Sequence, residues 1–411
     1  MTTIAVLQQA APAPIQGAER MDALDAVRGA AILGILLANV YAMAGFPFLP
    51  PDHYRSIGLA EWHPLAFFLI LVLIEAKFYS LFSLLFGIGF AVFVQRAAAR
   101  GADAARLFKR RLVGLLIIGL IHSFLIWMGD ILATYALIGF ALVPFLGRDD
   151  RTVLRWAAAM LMLPIVLYAV MAGVAWMASV PPQQPGAAGA PPQVLVDAAE
   201  GFATGDYGDV VKGNAIFTAA QIARRFMLMF FPRVFGMFLL GFYIGRRNLF
   251  GDLDAHRSLL GRMFVWGMAV GLPLAFIGAR MEGYNMGVPG LMGLLETTVK
   301  SFGAPILSLA YGAGLCLLFD RVRVLRRGFA PAGQMALTNY LLQSCAALAI
   351  FYGLGFGLFG RVPLVLALGG AVAFFVLQMI VSRAWLAVAA FGPAEWLWRM
   401  FTYRRRVPLF R

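Results

Sequence analysis

The sequence predicts an all-α fold, a polytopic transmembrane helical bundle of about ten spans, and three observations lead there. Hydrophobic residues make up 61% of the 411 positions and charged residues only 13%, with a mean hydropathy of +0.81. Windows of about 20 residues with almost no charge recur along the chain, which is the length a helix needs to cross a hydrocarbon core. The lysines and arginines cluster at 96–111, 148–155, 246–262, 321–327 and 399–411, in every second loop. That alternation is what the positive-inside rule requires, and it predicts that both termini are cytoplasmic.

The elements follow in order. Residues 1–20 lack the charged start and long apolar core of a signal peptide and read as a disordered cytoplasmic tail. Residues 21–402 read as a single transmembrane helical domain and 403–411 as a basic cytoplasmic tail. Span one covers about 26–45, with Asp25 and Arg28 at its inner edge, and a loop rich in Pro and aromatic residues follows with His53 and His63. The run 65–94 is too long for one untilted helix and is interrupted by Glu75-Ala76-Lys77, so it predicts a broken or long tilted helix, or an interfacial helix leading into a span. Next comes an apolar hairpin over 110–140, with His122 inside one span and Asp130 at the turn. A fifth span ends near Val180, and 181–221 reads as the longest polar connection, lying outside. The remaining spans fall at about 227–245, up to 278, up to 320, 335–354 and 363–391. Segments 81–96 and 234–247 both pair glycines with phenylalanine and end in arginine, an echo assigned here to the ordinary composition of spans.

Composition also excludes. The net charge of +14 invites a nucleic-acid reading, but no basic face interleaved with aromatic residues exists outside the apolar runs, and nucleic acid is rejected as a partner. The lipid bilayer is the partner the composition requires. Cys316 and Cys345 lie within spans without CxxC spacing and read as small packing residues. No GxSxG, HExxH, Walker-type loop or Cys/His metal spacing occurs, so no metal is expected.

An ionisable side chain inside a span costs a few kcal/mol on insertion scales and usually faces the bundle interior or a wet cavity. Those residues are therefore the candidate site. Asp25 and Arg28, three apart, share a helix face and can pair, either anchoring the inner interface or holding an anion. Asn39 lies eleven residues past Arg28, about three turns up a similar face. Glu75 and Lys77, two apart, cannot face one another, so each needs a partner from another span or water. Arg233 follows Pro232 within an apolar run and implies a cavity or an acidic partner, while Glu296 and Lys300 are spaced for an interfacial salt bridge. Asn339 and Gln343 share a face, as ligand contacts or as hydrogen-bonding glue between helices. His122 reads as a structural hydrogen-bonder or a general base. Asp130 is eight residues on, about 12 Å along a continuous helix, so spacing alone does not make the two a dyad. Sharing one cavity would hydrate His122, Asp130 and Arg28 together, and that is the expected arrangement.

Five ordered stretches, LDAVRGAAILGILLANV (24–40), KFYSLFSLLFGIGF (77–90), GLIHSFLIWMGDILATYALIGF (119–140), GQMALTNYLLQS (333–344) and GPAEWLWRMFT (392–402), resemble the YeiB-like integral membrane proteins, domain-of-unknown-function family 418. The resemblance covers nearly the whole chain, with a C-terminal family block at about 227–402, and implies a multi-pass protein of the bacterial cytoplasmic (inner) membrane. The first stretch, Leu24-Asp25 with Arg28-Gly29, is also similar to the transmembrane acyltransferase superfamily, including the heparan-glucosaminide N-acetyltransferases. That likeness implies an enzyme moving an acyl group from cytosolic acyl-CoA, the donor substrate, to a small-molecule acceptor at the outer face through a membrane-embedded histidine. His122 with Asp130 would fill that role, with His53 and His63 as alternatives. Arg28 and the basic inner surface would hold the CoA phosphates. The competing expectation is a transporter or exporter of a small organic anion or metabolite. Glu75, Lys77, Arg233 and Asn339 would then line its path, and Glu75 or His122 would couple it to protons.

Overall fold

A computed structural model of the chain describes residues 22–48, 53, 56–181 and 192–411; the tail expected over 1–20 lies outside them. Among the described residues the regular structure is helical, apart from an isolated backbone bridge between Ala389 and Phe410. The fold class is the expected one. The first helix, α1 (Asp22–Met43), is the central post, with 67% of its apolar window buried. Its Ile32, Leu36 and Val40 join a core with Phe351 and Phe375, and its Leu24, Val27 and Ala31 join another with Leu84 and Phe319.

The run 65–94 is broken. Helix α2 (His63–Leu69) ends in a π turn, Ile70–Ile74. The chain then passes through Ala76, which holds the left-handed conformation at φ 64°, before α3 (Lys77–Ala99) begins. The hairpin consists of α4 (Ala104–Ile121), a second π turn at His122–Ile126, and α5 (Leu132–Phe140). Then come α6 (Asp150–Met177), α7 (Gln193–Thr204) and α8 (Tyr207–Met227). Helix α9 (Phe230–Arg246) is bent 71° away from α8 across Met229, at φ 51°. The long α10 (Leu253–Arg280) and α11 (Leu291–Arg321) pack together, and α12 (Arg323–Gln334), α13 (Ala336–Phe351), α14 (Leu364–Val388) and α15 (Pro393–Tyr403) complete the bundle. Aspartates start several helices: Asp103, Asp149, Asp206 and Asp252 each accept the backbone N–H three residues on, the usual N-cap bond.

Three features add detail to the expected elements. Among the described residues six helices are long and apolar enough by length and composition to cross a membrane, or seven if α8 and α9 count as one bent span, against about ten expected. The hairpin accounts for part of the difference: α4 carries Arg106, Lys109, Arg110 and Arg111 in its first half, and α5 has nine residues, about 13 Å. Helix α13, at 16 residues, is also short of the usual span length. The polar connection expected over 181–221 is largely helical from Gln193 onward, and its buried Asn214 bonds backbone groups of the hairpin. Residues 403–411 bond back to the bundle: Ala390 N–H donates to the Leu409 carbonyl and Trp396 Nε1–H to that of Val407.

The echo between 81–96 and 234–247 also has a physical basis. Helices α3 and α9 cross closely with Gly87 beneath the Phe238 carbonyl and Gly241 beneath the Leu84 carbonyl, where a Cβ on either glycine would overlap backbone. The contact is reciprocal, as across a local two-fold axis, and each helix starts just after a left-handed residue. The basic clusters meet at the opposite end. Arg246 and Arg247 pair with Asp150, Arg257 pairs with Asp320, and Arg111 stacks 3.8 Å from the Trp398 ring centroid. Phe90 joins these groups by packing on both Phe108 and Phe242.

Candidate functional site

Two polar centres occupy the end of the bundle away from the basic loops, and one arginine joins them. The first is in the hairpin. The π turn closes with Trp127 N–H donating to the His122 carbonyl, and Trp127 then turns extended, so the chain doubles back over only a few residues. This brings Asp130 Oδ1 to 2.9 Å from His122 Nδ1, with His122 fully buried and Asp130 nearly so. Asp130 Oδ2 accepts the Ala133 N–H at 2.7 Å and thereby caps α5. A carboxylate can only accept, so Nδ1 is the donor of this contact. His122 Nε2 is buried and has no hydrogen-bond partner among the described residues, nor has Trp127 Nε1. Tyr340 on α13 packs its ring 5.1 Å from the imidazole.

Helix α8 lies over the turn and satisfies what the π geometry leaves open. Asn214 is fully buried, accepting the Met128 N–H and donating to the Phe124 carbonyl. Tyr207 donates to the Leu125 carbonyl and Thr218 to that of Ser123. Arg225 donates through Nη2 to the Asp130 carbonyl and through Nη1 to Thr134 Oγ1, both at 2.8 Å.

The second centre is a cavity of about 230 Å³ at the breaks before α3 and α9. Lys77, Arg224, Arg225, Arg233 and Lys300 line it together with Glu75 and Glu282, a formal excess of three positive charges (five minus two). The fully buried Glu296 stands behind Lys300, whose Nζ donates to it and to Glu282 at 2.6 Å each. Glu296 also accepts the N–H groups of Asn285 and Gly283, so three donors hold it. Lys77 donates to the Leu71 carbonyl, one that the π turn leaves open. Glu75 has no ion-pair partner within 4 Å among the described residues and faces the cavity.

A family model described as a protein of unknown function, DUF418, matches residues 244–405. An uncharacterized protein of Bacillus subtilis (strain 168), YxaH, is 32% identical over 95% of this chain and 96% of its own. The chain belongs to the DUF418 family. An uncharacterized 39.9 kDa protein of Bacillus acidopullulyticus is also 32% identical, over 96% of this chain and 97% of its own. The uncharacterized protein YeiB of Escherichia coli (strain K12) is 29% identical, over 95% and 98%.

In this DUF418 protein the five stretches quoted above touch one another. Gly29 of the first meets Gly333 of the fourth, where α1 and α12 approach too closely for a Cβ on either. Tyr135 of the third donates to the Tyr79 carbonyl of the second. Glu395 of the fifth accepts the Leu337 and Thr338 N–H groups and the Thr338 hydroxyl of the fourth, capping α13. Burial pushes the Glu395 carboxyl up, while those hydrogen bonds favour its charged form and oppose the shift.

The expected site residues separate into groups. Glu75, Lys77 and Arg233 meet in the cavity, and His122 meets Asp130. Arg28 does neither: it pairs with Asp25 at 2.6 Å, so the single cavity expected for His122, Asp130 and Arg28 is not formed. Its physical motive lapses because the hairpin supplies His122 with a partner and α1 supplies one to Arg28. Asn39 sits half-buried on α1. Asn339 and Gln343 stay outside the cavity as well, bonding Ser382 and Gln378 so that they tie α13 to α14. His63 stacks among Phe46, Tyr41 and Phe67, and His53 Nε2 bonds the Gly360 carbonyl. Lys300 and Glu296 pair in the interior rather than at the interface. Sequence reasoning missed Arg224, Arg225 and Glu282. The adjacent arginines followed at once by an apolar run were a usable signal for the first two; Glu282 had none.

Proposed function

We propose that this protein binds a small organic anion in the Lys77–Arg233–Lys300 cavity and moves it through the bundle of the cytoplasmic membrane. The observation that carries the reading is the cavity's excess of cations, gathered where helices break. Charge is expensive at membrane depth and persists where it lines a path or a ligand site. Discontinuous helices are also how many transporters form binding sites, because the break frees backbone groups and helix ends to face a ligand. By the positive-inside rule the basic end is cytoplasmic, which places the cavity toward the opposite face. Purified protein reconstituted in liposomes and assayed with a panel of labelled mono-, di- and tricarboxylates tests this. Uptake or exchange of one class, lost in Arg233→Gln, is the expected result; no flux with any member counts against it.

A second reading, acyl transfer, is favoured by the His122–Asp130 pair. The acceptor's hydroxyl or amine would give its proton to His122 Nε2 as it attacks the thioester carbonyl of acyl-CoA, and the CoA thiolate would leave. Asp130 would stabilise the imidazolium that forms, and general-base assistance of this kind is worth roughly 10²–10⁴-fold. Incubation with labelled acetyl-CoA separates the readings: acyl transfer or slow thioester hydrolysis lost in His122→Ala supports the second, and absence of acyl-CoA binding removes it.

A further inference from the structure

At the basic end, Arg106, Lys109 and Arg110 of α4 and Arg404 just past α15 surround a groove of about 590 Å³ with Val113, Met400 and Phe401 among its apolar walls. Three arginines elsewhere at this end are engaged: Arg246 and Arg247 with Asp150, Arg257 with Asp320. None of the four groove cations forms a salt bridge among the described residues. The groove's single carboxylate, Asp103, is committed to the α4 N-cap, accepting the Arg106 N–H at 2.9 Å.

The two walls are held at a fixed separation. Arg111 lies over the Trp398 ring at 3.8 Å, and Trp398 Nε1–H donates to the Arg111 carbonyl at 2.7 Å. The concavity is therefore built in. Beyond the cations, α4 continues with Val113, Ile117, Leu120 and Ile121, all exposed. An apolar stripe running directly out of a cationic groove matches a molecule with phosphate at one end and hydrocarbon at the other.

We propose that this groove binds the headgroup of an anionic phospholipid, with the phosphate among the four cations and the acyl chains along the α4 stripe. A formal excess of three positive charges (four minus Asp103) suits the two phosphates of cardiolipin. Basic pockets between membrane helices hold such headgroups by this chemistry, and each cation near the surface contributes about fivefold to affinity. The apolar stripe is what favours a lipid over a soluble phosphate, and the inference does not depend on what occupies the charged cavity.

Native mass spectrometry of the detergent-purified full chain tests it, with cardiolipin, phosphatidylglycerol and phosphatidylethanolamine offered in turn. Cardiolipin adducts are expected to exceed phosphatidylethanolamine adducts. They should fall by about fivefold per cation removed in the triple variant Lys109→Gln, Arg110→Gln, Arg404→Gln, and stay unchanged in Arg151→Gln with Arg155→Gln at the same end. If the triple variant fails to fold, Arg404→Glu alone, at an exposed position, must still lower them. An equal fall in the Arg151/Arg155 control, no preference for anionic lipid, no change in Arg404→Glu, or displacement of cardiolipin by coenzyme A or inorganic phosphate would each overturn the proposal.

Discussion

His122 Nδ1 and Asp130 Oδ1 stand 2.9 Å apart although eight residues separate them, a span that a continuous helix would stretch to about 12 Å. The π turn at His122–Ile126 makes the meeting possible, and Asn214, Tyr207 and Thr218 of α8 hold the turn by its carbonyls. Removing the carboxylate leaves a buried imidazole N–H unpaired and α5 uncapped. Asp130→Ala is expected to cost about 3 kcal/mol. Asp130→Asn, which still offers a carbonyl oxygen, should cost clearly less. Thermal unfolding of the two variants in one detergent checks this; equal melting temperatures would show that the carboxylate does not hold the hairpin.

Arg225 is the physical link between the hairpin and the charged cavity, with one donor on the Asp130 carbonyl and one on Thr134. Lysine keeps the charge but cannot present two donors in a planar fork. Arg225→Lys is expected to lose about 1–2 kcal/mol of stability while leaving anion binding in the cavity largely intact. Arg224→Gln should do the reverse, since Arg224 lines the cavity without a hydrogen bond to the hairpin. Melting temperature against ligand-induced thermal shift separates the two effects.

The seam between α3 and α9 gives a paired test on one helix. A methyl at Gly87 would strike the Phe238 carbonyl, whereas Gly89 has open space around its Cβ direction. Gly87→Ala should therefore destabilise by about 1–3 kcal/mol through overpacking. Gly89→Ala should be neutral or stabilise by up to about 1 kcal/mol, because alanine is the better helix former. Unfolding curves in which both substitutions act alike would contradict the close crossing.

Much of this fold is legible in the chain, and the failures have a common cause. Hydropathy gives the membrane-bundle class, and the charges at Glu75 and Lys77 mark a real break in the run 65–94. Arg233 implies a cavity because an arginine in an apolar run has few other ways to be satisfied. The His122–Asp130 contact was hidden because spacing arguments assume 3.6 residues per turn, and the π turn departs from that. Helix α8 was hidden because Asn214 and Arg225 look like loop residues; their partners are backbone groups of the hairpin, which no pattern within 207–227 reveals. Gathering Glu75, Arg233, Glu282 and Lys300 into one place is tertiary information, carried by the glycine seam and the two left-handed residues rather than by local sequence.

The glutamate cluster offers a further check on how the cavity is built. Glu296 holds Lys300 from behind while accepting two backbone N–H groups. Glu296→Ala would leave Lys300 with Glu282 alone and free the loop at 283–285, with an expected loss of about 3 kcal/mol. Rapid hydrogen exchange confined to 283–285 would locate the effect. Unchanged exchange there would show that Glu296 does not order the loop.

Anion-induced thermal stabilisation of the purified chain, measured across a carboxylate panel in the wild type and in Arg233→Gln with Lys300→Gln, tests the central claim most directly. A cavity that takes a small organic anion should give the wild type a saturable rise in melting temperature with at least one carboxylate. That rise should be abolished in the double variant and kept in a control carrying Arg151→Gln. No rise with any carboxylate, or a rise that survives loss of both cavity cations, would contradict it.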